Sequence, residues 1–94
     1  MSSAADRSTK ILTALRQAFP TAELALSDES HLHRGHAGAR EGKGHFRLSI
    51  TTPEFAGLAP LARHRRVFAA LEALMASDIH ALSIDARAPV VPDA

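Results

Sequence analysis

The chain has 94 residues, 46% of them hydrophobic and 22% charged, with 11 Lys and Arg against 10 Asp and Glu. That length allows one domain with a modest core, and the composition excludes disordered and collagen-like classes. A net charge of +1 lacks the basic excess of a general nucleic-acid binder, and with no cysteine there is neither a disulfide framework nor a thiolate for catalysis or metal ligation.

Residues 1–7 are small and polar and are expected to fray. No apolar h-region or run of about 18 apolar residues is visible, so a soluble, cytoplasmic protein is expected. From Ser8, a plausible N-cap, Ile11, Leu12, Leu15, Ala18 and Phe19 recur at helical spacing, and Pro20 stops the helix. Ala22, Leu24 and Leu26 then alternate with polar or small residues, as do Phe46, Leu48 and Ile50. Both stretches read as half-buried strands, and an antiparallel pair is expected.

Between them runs DESHLHRGHAGAREGKGHF, a Gly-broken polar stretch carrying His31, His33, His36 and His45. It is far longer than a hairpin turn, and connections above about 12 residues tend to be functional or mobile. Imidazole suits borderline metals and switches charge near neutral pH. A solvated loop that happens to be rich in histidine is the plain alternative.

Thr52-Pro53-Glu54 is a helix start, with a capping hydroxyl, Pro at the first helical position and an acid near the positive dipole end. Gly57 should close this short turn. A longer helix is expected from Ala59-Pro60 to about Ala76. At about 100° per residue, Leu61, His64, Val67, Phe68, Leu71, Leu74 and Met75 fall on one arc, with Arg63, Arg66, Ala69, Ala70 and Ala73 opposite and Arg65 at the edge. His64 thus reads as a structural residue inside the apolar arc. The three arginines read as a solvated face.

From Ile79 to Ala86 the pattern alternates again, placing His80 on the core face with Leu82, Ile84 and Ala86, at the rim where the strand begins. The two-proline tail is expected to be extended. The boundaries are a flexible 1–7, a domain over 8–89 and a tail over 90–94. The fold class is α+β, a two-layer sandwich of order α-β-β-α-α-β with a three-stranded mixed sheet, the helices covering its apolar face.

Gly35-His36-Ala37-Gly38 fits the GxxG of KH domains, but it lies between strands rather than helices. No nucleophile, zincin, P-loop or dinucleotide motif is present, so a binding module rather than an enzyme is expected.

Asp28-Glu29-Ser30, His33, His45-Phe46, Phe55-Ala56-Gly57, Arg63-His64-Arg65 and His80-Ala81-Leu82 occur in an order and spacing that resemble BolA-like proteins over residues 8–89. FxGxxxxxRHR followed by HAL is the most specific part. The resemblance implies a type II KH-like fold and a monothiol (CGFS-type) glutaredoxin partner. The pair would share a [2Fe–2S] cluster with glutathione, in iron–sulfur assembly, trafficking or iron sensing. It also implies the ligands: His80, and a loop histidine that maps onto His33, with His36 in reserve. His31 and His45 read as supporting residues. The chemistry agrees, since a chain without cysteine must take sulfur ligands from elsewhere, and two imidazoles on one iron give a Rieske-like set.

The resemblance also carries an alternative, a DNA-binding regulator of stress response and morphology with Arg63, Arg65 and Arg66 on phosphates. A minor third reading is a homodimeric zinc or copper carrier using His31, His33 and His36.

Overall fold

The computed structural model describes residues 4–29 and 44–90. In chain order these are helix α1 (Ala4–Ala18), strands β1 (Glu23–Asp28) and β2 (Gly44–Thr51), a single 3₁₀ turn (Pro53–Phe55), helices α2 (Pro60–Ala70) and α3 (Glu72–Ser77), and strand β3 (Ile79–Arg87). The sheet order is β1-β2-β3, with β2 antiparallel to β1 and parallel to β3. This is the mixed α+β arrangement that the hydrophobic periods imply. Among the described residues no helix is long and apolar enough to cross a membrane.

α1 begins at Ala4 rather than at Ser8, so residues 4–7 belong to the helix and Ser8 lies within it. Alanine carries no helix penalty, and Asp6 in the first turn favours the positive end of the dipole. Ile11 and Leu15 of α1, with Phe19 just beyond its end, form a buried stripe. They meet Phe46, Leu48 and Ile50 of β2, Phe55 of the 3₁₀ turn, Val67 and Leu71 of the helical crossover, and Ile79 of β3.

The expected long helix is divided at Leu71, whose φ −105° and ψ 9° depart from helical values. Its amide donates to both Val67 O and Phe68 O, at 3.1 and 3.2 Å, so the backbone turns without losing its bonds. Neither Gly nor Pro marks the place. Leu71 itself is fully buried, so the break sits against the core. The buried arc is also narrower than the wheel suggests. Val67 and Leu71 are enclosed, whereas Leu61 is 60% exposed and Phe68 38%.

Thr52, fully buried, caps the 3₁₀ turn by accepting from the Glu54 amide. Gly57 closes it with φ +79°. A Cβ built there meets nothing within 4 Å, so the cost of Gly57→Ala is backbone strain alone, about 1–2 kcal/mol for a non-glycine left-handed residue. Urea denaturation should show that loss with an unchanged m value. A neutral result would mean the turn relaxes.

Candidate metal centre

The central strand fixes one histidine and the β2–β3 ladder brings a second beside it. His45 alternates with Phe46 and so belongs to the sheet face opposite the core, yet it is only 6% exposed while Arg47 on that face is open. The register pairs Gly44 with Ile79 but His45 with Ala81, a slip of one residue that leaves His80 as the extra residue of β3. Such a bulge re-aims a side chain at a strand end.

Strict alternation would set His80 on the core face with Leu82. That expectation is corrected here. His80 is exposed, and its ring lies against His45 with centroids 5.0 Å apart and planes at 57°. The sequence alone makes His45 only a supporting residue. Strand alternation carries no sign of a register slip, so the pairing could not be read from the chain.

The backbone on both sides of the slip is held firmly. The Gly44 amide donates to Asp78 O at 2.9 Å, and the Glu29 amide donates to His45 O at 2.8 Å. Asp78, just ahead of Ile79 and His80, is buried. Its Oδ1 accepts from the Ser77 hydroxyl at 2.6 Å, and its Oδ2 meets Lys10 Nζ of α1 at 3.2 Å. The Ser77 bond is the main cause holding the Asp78 carboxyl below its ordinary range. Burial opposes it, while the Lys10 bond and the charges of Lys10 and Arg7 add to the lowering.

Because the folded-state pKa lies below the unfolded value of about 3.9, Asp78 stabilises the native state above about pH 4. That contribution drains away as pH falls through 4 toward the lowered value. Asp78→Asn should therefore lower the melting temperature at pH 7 and lose that deficit against the parent near pH 3. A deficit independent of pH would exclude the linkage.

Of the other candidates, His31, His33 and His36 lie outside the described residues, as does the GxxG-like string. Arg63, read as part of a solvated face, is half-buried. Its Nε donates to Leu58 O at 2.9 Å and its Nη1 to Ala86 O at 3.2 Å. Arg66 bonds Glu54 through both its carbonyl and its carboxylate, and lies 5.5 Å from the centre of the Phe19 ring. Arg65 is exposed. His64 is half-buried on α2 rather than enclosed with Val67 and Leu71.

Among the described residues no group of three or more His, Cys, Asp or Glu could hold a metal. The His45–His80 ring pair thus stands without a third such side chain among the described residues. The remaining positions of any ion placed there would fall to other donors.

Comparison with known proteins agrees with this architecture. A family model described as BolA-like protein matches residues 15–90. BolA-like protein 1 of Bos taurus is 44% identical over 79 residues, which cover 84% of this chain and 56% of that protein. The chain thus spans a little over half the length of that relative. Among solved structures, the BolA domain of SufE1 from Arabidopsis thaliana superposes with TM-score 0.78 at 32% identity, covering 95% of this chain and 96% of the other. The solution structure of BolA1 from Mus musculus gives TM-score 0.72 at 37% identity, over 95% and 70% of the two chains. With the family model spanning most of the chain and relatives of this identity, the chain belongs to the BolA-like protein family.

Proposed function

We propose that this BolA-like protein is a binding module for iron–sulfur chemistry. In this reading it joins a monothiol glutaredoxin and glutathione around a shared [2Fe–2S] cluster and has no catalysis of its own. The observation that carries the reading is the exposed His80 imidazole, set on a bulge beside a second imidazole in a chain without cysteine. The donor set fits an iron whose sulfur ligands come from another molecule. The cluster would supply one-electron chemistry, and imidazole ligation raises its potential relative to an all-thiolate site.

This chain's part is to present neutral imidazole nitrogens on a stiff sheet edge. A nitrogen bound to metal cannot carry a proton, so the assembly should weaken on acidification. His80 supplies one nitrogen. For the other, the sequence puts His33 forward, with His36 in reserve.

The test is anaerobic reconstitution of the protein with a monothiol glutaredoxin, iron, sulfide and glutathione, followed by visible absorption and circular dichroism. His80→Ala should abolish the spectrum of the mixed complex. An unchanged spectrum would remove His80 from the ligand set.

The DNA-binding alternative has less support. Arg63 donates to two backbone carbonyls, and the exposed Arg66 is paired with Glu54. Affinity for duplex DNA falling steeply with salt would revive it.

A further inference from the structure

We propose that His45 is the second protein nitrogen on the metal that His80 holds, so that the two rings form a claw already assembled before any partner arrives. The inference rests on the metal-binding reading of His80 and assigns the place otherwise left to a loop histidine.

The geometry is specific enough to support it. A metal–imidazole bond of about 2.1 Å puts each ring centre about 3.2 Å from the ion, so two imidazoles sharing one ion at right to tetrahedral angles have centres about 4.6–5.3 Å apart. The observed separation is 5.0 Å, with the planes tilted at 57°. Two rings merely packed together also fall in this distance range, so the supporting construction matters as much as the distance. His45 is enclosed on the central strand, with its carbonyl bonded to the Glu29 amide. His80 is displaced from strand alternation by a register slip, and that slip places it against His45.

Just before the slip, the Gly44 amide is tied to Asp78 O, and the Asp78 side chain is tied to Ser77 and Lys10. One ligand is thus rigid and enclosed while the other is accessible. No third His, Cys, Asp or Glu completes a metal-holding group with them among the described residues. That is the arrangement a shared site needs, with two nitrogens fixed in advance and the remaining positions open to an incoming partner's sulfur.

The test uses the full chain alone with Zn²⁺ as probe, then the reconstituted complex. Calorimetry and ¹⁵N histidine spectra should show 1:1 binding that moves the His45 and His80 ring nitrogens together. His31, His33 and His36 replaced together by Ala should leave that affinity within threefold. His45→Phe keeps a ring in place but offers no nitrogen, and should weaken binding at least tenfold with unchanged far-ultraviolet circular dichroism. His45→Cys, which restores a donor, should recover most of it.

In the glutaredoxin complex, His45→Phe should remove the cluster spectrum as His80→Ala does. If His80→Ala destroys that spectrum while His45→Phe leaves it intact and His33→Ala destroys it, the claw is wrong and the wider proposal stands. If His80→Ala has no effect, the wider proposal fails. Loss of Zn²⁺ binding in the triple loop variant alone would also overturn the claw.

Discussion

Replacing Phe55 with Ala is expected to destabilise the domain by about 3–5 kcal/mol, the range for deleting a fully enclosed aromatic ring. Phe55 sits on a single 3₁₀ turn whose backbone is fixed by Thr52 on one side and Gly57 on the other. The ring is wholly buried and meets Phe19 edge-on, with centroids 5.4 Å apart and planes at 66°. Phe19 in turn carries the Arg66 guanidinium, which is bonded to Glu54. One substitution therefore loosens the turn, the end of α1 and the face of α2 together. Domains of this size have about 5–14 kcal/mol to lose, so thermal denaturation should show a fall of at least about 15 °C. Phe55→Leu should cost well under half as much. A fall of only a few degrees for the alanine variant would mean that the neighbouring side chains collapse into the space.

Arg63→Ala should cost about 2–3 kcal/mol, measured by urea denaturation, given the worth of hydrogen bonds from a charged donor. The guanidinium spans two carbonyls from different parts of the chain, Leu58 before α2 and Ala86 near the end of β3. Ala86 O points away from β2, because the neighbouring Arg87 O accepts from the Thr52 amide and carbonyls alternate along a strand. Arg63 therefore covers an acceptor on the outer edge of the sheet while anchoring the segment that leads into α2. Arg63→Lys should recover less than half of the loss, since a compact ammonium cannot match the fork that reaches both oxygens. Equal stability of the lysine and parent proteins would show that charge alone suffices.

How far these features can be read from the chain depends on the physics behind each. Phe46, Leu48 and Ile50 alternate because one sheet face is buried, and Thr52-Pro53-Glu54 starts a turn through local bonds. Both rules act over a few residues, so the strands, the turn and the mixed sheet were legible. The start of α1 was misplaced because a serine that could cap a helix can also lie inside one at a small propensity cost. The break at Leu71 and the exposure of Leu61 and Phe68 depend on how α2 and α3 meet the sheet, which a helical wheel does not contain.

The same limit applies to the site. His80 was legible as a histidine at the rim of a strand start, but strict alternation put it on the core face rather than in the open. Its contact with His45 depends on a register slip between strands separated in sequence by two helices. Arg63 looked like one of three surface cations because its acceptors, Leu58 O and Ala86 O, are backbone atoms that carry no residue signature.

The sheet order has a kinetic consequence. β2 is joined to β1 through the long segment 29–43 and to β3 through the whole crossover 52–78. The β2–β3 ladder cannot be closed by a tight turn, so it must meet the entropy of a wide crossover before its bonds are rewarded. The helices, built on local contacts, can flicker into place on the microsecond scale, while the sheet must wait for a distant search. Refolding should therefore be slower than that of a helical bundle of equal length, with the histidine pair among the last features to assemble.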